Sequence, residues 1–512
     1  MMKNKKLIAL LSLIILLGLF LRVYDIGEES FWIDEAATVY TTQQSPSEII
    51  EDIYITTKQA PEYYEGGGSP PFYFIVANYW TKLVGLSEAK LRLLSAIFGA
   101  ISIFMVFTIG RMLFEYRTGL IAAFMLAINF MHINYSQEAR GYSLIILLTL
   151  FTVYFLINGL NGKKRMYWVG FTIAGALLIY THYFGFFILF FEALYVLVFF
   201  KQYKNSMKKA IMSAIGTFVL YIPWIPALVR QIADSEKLAW YLGNDIIYDL
   251  ARIFVQFNSW LVPDAQTRVA LRGIYTSIQN FSIERLFDIS LIGWLTIVSI
   301  LALTLMLLWH FIIGSFVKNR KLSVFYLKDK NRAFLLMWFV IPILVPIIIT
   351  IVILTVPVFG FVQYTLFASP AYYMLVAIGI SKTKKYQIAL ILIVILSLLP
   401  LYSYYFNFDK QQWREVASYL ETNRLPGELV AVHAHHSILA MKYYYKDMTG
   451  VLPVRNVEDL KSAIKGENSI WLVYASEKFF DPDQKMKGYL DDNYKKKSEI
   501  EFTGIRLFHY TK

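Results

Sequence analysis

Two adjacent carboxylates, Asp34 and Glu35, stand in the stretch Phe31–Trp32–Ile33–Asp34–Glu35–Ala36–Ala37–Thr38. A carboxylate held beside aromatic rings at a membrane surface can take a proton from an acceptor hydroxyl. The same pair can equally be solvated loop acids, and the residues alone leave both readings open. The pair follows the apolar run Leu7–Leu21, whose flank carries Lys3, Lys5 and Lys6. Such a flank stays in the cytoplasm, which places Asp34 and Glu35 on the opposite side.

Two further clusters lie in connections expected on that same side. Ser136–Gln137–Glu138–Ala139–Arg140–Gly141–Tyr142 offers an acid and an arginine at a membrane boundary. They can pair structurally, or Arg140 can meet a lipid phosphate with its forked donors. Tyr180–Thr181–His182–Tyr183–Phe184–Gly185 sets His182 among aromatics, either as a packed residue or as a ligand to substrate. Glu192 falls inside an apolar run and must face the bundle interior or be protonated. His433, His435 and His436 have no acid partner or second cluster at a fixed spacing, and are read as surface histidines. No cofactor is specified by the sequence, and a divalent metal is left open.

The elements that carry these residues are set by composition. The chain has 512 residues, 57% hydrophobic and only 17% charged, with mean hydropathy +0.49. Soluble domains carry about 25% charged residues, so the balance predicts an integral membrane protein. The net charge of +12 does not mark a nucleic-acid binder, because the basic residues cluster between apolar runs. There are no cysteines, which excludes disulfides and thiolate metal sites. Leu7–Leu21 has no small-residue cleavage site after it and is expected to be an uncleaved first span.

Further apolar runs fall near 91–110, 118–134, 141–160, 167–181, 184–200, 210–228, 287–313, 333–354, 364–380 and 386–403. With the first they predict an α-helical polytopic membrane protein of about 11 transmembrane helices. Basic clusters at Arg111 and Arg117, Lys163–Arg165, Lys201–Lys209, Lys318–Arg332 and Lys382–Lys385 mark the cytoplasmic connections. Pro70–Gly85 is short for a span and would invert that parity, so it is expected to lie in the outer interface. Two long outer loops result, 24–69 and 230–285. The first holds ten acids against one lysine, and within the second Ile246–Trp260 has the spacing of an interfacial amphipathic helix. From Asp409 to Lys512 the chain turns charged and mixed. Helix Trp413–Thr422, strand Glu428–Val432, helix His436–Tyr445, helix Val457–Ile464, strand Ser469–Ala475, helix Asp483–Lys495 and a strand or hairpin over Ser498–Tyr510 make a small C-terminal extracytoplasmic α/β domain. The expected domains are therefore 1–403 in the membrane and 409–512 outside.

Five segments in order carry a family resemblance: WIDEA, SPPFYFIVANYWTKLVG, RLLSAIFGAISIFMVFTIGRMLFEYRTGLIAA, INYSQEARGYSL and YTHYFGFFILFFEALY. Together they resemble the GT-C membrane glycosyltransferases, in the group that includes protein O-mannosyltransferases and aminoarabinose transferases. The likeness is strongest over residues 1–230. It implies an inverting transfer of a sugar from a polyprenyl-phosphate carrier in the bilayer to an outer acceptor, whether protein, lipid or glycan. It implies Asp34 as base, Glu35 as its orienting partner or an acceptor ligand, and Arg140 as the donor-phosphate ligand steadied by Glu138. Two positions depart from the family pattern: Ser69 stands where a His precedes the proline pair, and Gln363–Tyr364 where Arg-Tyr opens a late span. Ser69, His182 and Tyr183 are carried as substrate-binding candidates, and Gln363 and Tyr364 as donor-phosphate candidates. A transporter or flippase of lipid-linked sugars is the rival reading, but that class puts polar residues in several spans and often shows a repeat. A non-catalytic assembly partner is a third.

Overall fold

Long apolar runs fold as helices because only intrahelical bonding satisfies the backbone where no water reaches it. The computed structural model describes residues 5–55, 69–162, 164–234, 253, 257, 329–353, 362–383, 386–407 and 410–512. The expected span 287–313 lies outside the described residues. So does Ile246–Trp260, apart from Ile253 and Phe257, which are helical and buried. In chain order the helices are α1 (Lys5–Val23), α2 (Ile33–Thr42), α3 (Pro46–Ile55), α4 (Phe72–Val84), α5 (Glu88–Leu113), α6 (Tyr116–Ile128) and α7 (Phe130–Ser136). There follow α8 (Tyr142–Leu160), α9 (Met166–Thr181), α10 (Gly185–Val198), α11 (Lys204–Tyr221), α12 (Ile225–Asp234), α13 (Lys330–Ile353), α14 (Ser369–Lys382) and α15 (Tyr386–Phe406).

Among the described residues six helices are long and apolar enough to cross a bilayer, or seven if the bent pair α6–α7 is one span. The protein is thus a multi-pass membrane protein. Helix α4 has 13 residues, about 20 Å at 1.5 Å per residue, against a hydrocarbon core of about 30 Å. It ends at Gly85, whose φ of 84° suits the residue without a Cβ.

The chain divides into two compact units. One is the membrane bundle, Met1–Tyr24 with Ser95–Ser403. Its most informative feature is the bend of 60° between α6 and α7. A break inside a span frees carbonyls at the C-terminal end of the first piece and amides at the start of the second. The Asn129 side chain accepts from the His132 amide at 3.2 Å and caps α7. Arg22, wholly buried at the end of α1, donates to the carbonyls of Leu126 and Ala127, each at 3.0 Å. It also donates to Gly18 O at 2.8 Å and Ser136 Oγ at 3.1 Å. The approach needs a glycine: a Cβ on Gly99 would lie 2.2 Å from Ser136 Oγ and 2.8 Å from Arg22 Nε.

The other unit combines Asp25–Leu94 with Tyr404–Lys512. Its centre is a five-stranded sheet of β1 (Leu429–His433), β2 (Val451–Val454), β3 (Ser469–Ala475), β4 (Lys495–Phe502) and β5 (Ile505–Thr511), in the order β2-β1-β3-β5-β4. Strands β2, β1 and β3 are parallel, while β5 runs antiparallel to β3 and to β4. Alternate residues of β1 and β3 feed two cores. Val430, Val432, Trp471 and Val473 face one side with Trp413 and Leu420 of the helix Trp413–Asn423. Leu429, Ala431, Ile470 and Leu472 face the other, with Leu460, Met486 and Leu490 from two further helices. Covering a mostly parallel sheet on both faces makes its central strands continuously apolar. Ala36 of α2 and the partly buried Ile33, Ala37 and Tyr40 belong to the first of these cores. The stretch that carries Asp34 and Glu35 is therefore seated on the sheet domain.

One expectation is corrected here. His433 is no surface residue: it ends β1, is fully buried, and its Nδ1 bonds the Ala475 carbonyl at 2.8 Å. His435 and His436 are partly buried.

Candidate active site

Glu35 is the third residue of α2, and its carboxylate is fully buried. Arg92, in the second turn of α5, grips it with two bonds, Nε to Oε1 at 2.8 Å and Nη2 to Oε2 at 2.6 Å. Arg92 also donates to the carbonyls of Ile26, Glu29 and Ser30 at 2.8–3.0 Å. All five of its N–H groups are thereby committed, and the loop 26–30 is lashed to the start of α5. Lys410 Nζ stands 3.5 Å from both Glu35 oxygens. The Lys410 amide donates to Glu29 Oε1 at 3.1 Å, so a second carboxylate adjoins the cluster.

A second set of contacts fixes the same loop. Arg414 pairs with Glu88 at 2.6 Å, and Tyr444 Oη donates to Glu88 at 2.7 Å. The Phe31 amide in turn donates to Tyr444 Oη at 2.7 Å. Asp34 is one residue before Glu35, about 100° away around the helix. It is half-buried, and its carbonyl accepts from Thr38 Oγ1 at 3.1 Å. The two acids therefore occupy different surroundings: Glu35 is enclosed by cations while Asp34 keeps part of its surface open. Ser69 is half-buried in the segment leading to α4.

The other candidates belong to the membrane bundle. Glu138 is buried in the turn after α7, and its Oε1 accepts from Asn134 Nδ2 at 3.5 Å. Gln137 Nε2 holds that turn to the Tyr24 carbonyl at 2.8 Å. The Arg140 carbonyl accepts from Ser95 Oγ at 3.2 Å, and its side chain is half-buried. Arg140 and His182 are brought together: burial and the Arg140 charge push the His182 ring down to about 4. His182 Nδ1 accepts from the Phe184 amide at 3.2 Å, so the ring is held as an acceptor on that edge. Tyr183 Oη donates to Gln231 and accepts from Trp224 Nε1 at 3.1 Å. Gln363, half-buried, and Tyr364 lie in the 3-10 helix Val362–Ala368 that leads into α14. Glu192 is buried in α10.

Residues 68–242 match the family model for dolichyl-phosphate-mannose-protein mannosyltransferase. Along nearly its whole length the chain is similar in fold to the oligosaccharyltransferase AglB of Archaeoglobus fulgidus, solved in complex with an inhibitory peptide and a dolichol-phosphate. That match covers 99% of this chain and 74% of that one, at 14% identity and a TM-score of 0.57. The chain has the GT-C membrane fold. A second structure of the A. fulgidus oligosaccharyltransferase, with zinc and sulfate, matches over 98% of this chain and 73% of its own at 13% identity, with a TM-score of 0.53. ArnT from Cupriavidus metallidurans in the apo state matches over 97% of both chains at 14% identity, with a TM-score of 0.49. No curated protein sequence matches.

The family-matched segment contains Ser69, Arg92, Glu138, Arg140, His182 and Tyr183. Asp34, Glu35 and Lys410 lie outside it. Arg92, Lys410 and Arg22 are the residues that sequence reasoning missed. Arg92 carried a usable signal, since a charge inside an apolar span needs a partner. Lys410 carried none, being one lysine of a charged segment. Among the described residues no group of three or more His, Asp or Glu is placed to hold a metal ion.

Proposed function

We propose that this GT-C enzyme transfers a hexose or pentose from a polyprenyl-phosphate carrier to an extracytoplasmic acceptor, with inversion at the anomeric carbon. Asp34 is the base. The acceptor oxygen bonds to the anomeric carbon as its proton passes to the Asp34 carboxylate. The bond from that carbon to the phosphate oxygen breaks, and polyprenyl phosphate leaves with the electron pair. Arg140 serves the departing phosphate with its planar fork. The N-terminus is cytoplasmic, the segment 1–403 carries the membrane bundle together with the outer stretch 24–69, and 409–512 is outside.

One observation supports Asp34 above all: its neighbour Glu35 is already consumed by Arg92 and Lys410. A carboxylate so enclosed positions α2, with both of its oxygens already accepting from a cation. The donor class rests on the family match and on the dolichol-phosphate in the AglB complex, and the inversion on the family resemblance.

The test offers purified protein a panel of synthetic polyprenyl-phosphate sugars and follows the release of free polyprenyl phosphate. Consumption of at least one donor, abolished by Asp34→Asn, is expected. Turnover of a nucleotide sugar with every lipid donor ignored would overturn the proposal.

A further inference from the structure

A cavity of about 220 Å³ opens within the membrane bundle where the ends of four helical segments meet. Leu113 is the last residue of α5, and Asn161 follows α8. Tyr195 comes from α10, Tyr203 from the turn before α11, and Lys330 with Asn331 from the first turn of α13. Among the described residues its polar lining is rich in donors and includes no carboxylate, the nearby Asp329 lying outside that lining. Tyr195 Oη and Tyr203 Oη share a hydrogen bond of 3.0 Å, and Lys330 Nζ stands 5.5 Å from the centre of the Tyr203 ring. Met112, Ile157, Leu160 and Phe334 supply an apolar wall beside it.

Lys330 has no carboxylate partner among the described residues. The nearest acid in sequence, Asp329, pairs with Arg332 at 3.1 Å and accepts from the Asn331 and Arg332 amides. The segments around the cavity carry exposed cations: Arg111 in the last turn of α5, Arg117 in the first turn of α6, Lys164 and Arg165 after α8, Lys201 and Lys204 beside Tyr203. A face with that bias concentrates anions near it. An ammonium offers a phosphate a point charge, hydroxyl and amide groups complete its hydrogen bonds, and the apolar wall accommodates a chain attached to it.

We propose that this cavity binds the phosphate of an anionic lipid headgroup. The site uses no residue of the Glu35 cluster or the Arg140–His182 pair, and it stands whether or not the transferase reading does.

The full-length protein in detergent is examined by native mass spectrometry with phosphatidylglycerol, with phosphatidylcholine, and with inorganic phosphate. Retained phosphatidylglycerol, with little phosphatidylcholine, is expected. Adducts of phosphate alone would show that the site takes the free anion, and no adduct of either kind would overturn the proposal. Lys330→Gln should lower retention about fivefold, as one near-surface cation would, and Lys330→Arg should keep most of it. Asn161→Trp, at an exposed position on the rim, should exclude the lipid without removing charge. The exposed Arg165→Gln is the control. If it lowers retention as much as Lys330→Gln, the lipid samples the basic face and the cavity is not a site. Equal retention by wild type, Lys330→Gln and Asn161→Trp would have the same meaning.

Discussion

Arg92 spends its whole guanidinium on one short piece of chain, with two bonds to Glu35 and three to the carbonyls of residues 26–30. The pair is fully enclosed, at 2% and 0% exposure. Removing one partner from such a pair leaves a buried charge without compensation and costs about 3–5 kcal/mol. Arg92→Lys keeps the charge but loses the fork and most of the loop bonds. Thermal unfolding in detergent should show Arg92→Lys and Glu35→Gln melting well below wild type. An unchanged melting temperature for both would refute this role.

Asp34 and Glu35 should separate cleanly when activity and stability are measured on the same samples. Asp34→Asn keeps size and hydrogen-bonding shape but cannot take a proton. It should melt like wild type and lose about a hundredfold or more in turnover. Glu35→Gln should do the reverse, keeping turnover per folded molecule while losing stability. The opposite pattern would transfer the base to Glu35.

Arg140→Ala should weaken the use of donor more than of acceptor. Arg140→Lys should recover only part, because a point charge cannot bond a phosphate through two parallel N–H groups. Equal effects on both apparent affinities would leave Arg140 with a structural role alone.

His182 predicts a pH dependence. Its folded-state value, about 4, lies below the usual 6.5, so the unfolded chain binds the proton more readily. The neutral ring is compatible with the fold above about pH 6.5, and stability is lost as pH falls from there toward 4. His182→Gln should flatten melting temperature against pH across that window. A profile that still fell as steeply would assign the acid lability elsewhere.

Gly99→Ala should loosen the seat of the α6–α7 break, since the new methyl would meet Ser136 Oγ and Arg22 Nε at impossible distances. Overpacking of this kind costs about 1–3 kcal/mol. Adding Ser136→Gly should restore part of the loss, and the double variant separates a local clash from a general helix effect. No recovery would mean that the glycine serves some other contact.

What the sequence revealed follows from the range of the interactions involved. Strand Ser469–Ala475 is legible residue for residue, because a central strand buried on both faces is a continuous apolar run. Strand Val451–Val454 is not: it has four residues, one of them Pro453, and is tolerated there because it lies at the sheet edge. The run 118–134 looks like one span, since hydropathy is blind to the break that Asn129 caps. Asp34 and Glu35 are visible as a pair, but their division of labour depends on Arg92, 57 residues away, and Lys410, 375 residues away. His433 was misread because a strand's last residue has no periodicity of its own to reveal its burial.

The sheet domain's core holds Ala36 beside Trp413, and Glu35 lies against Lys410. Roughly 310 residues of membrane bundle separate the two segments of that unit. At about 5–20 residues per second the ribosome needs about 15–60 s to make them. For that interval the acidic segment exists without the surface it will pack on, its Glu35 carboxylate held by Arg92 but not yet met by Lys410. Assembly of this loop is thereby a late event of synthesis, and a nascent chain halted before Tyr404 is expected to have an inserted bundle and an unfinished loop.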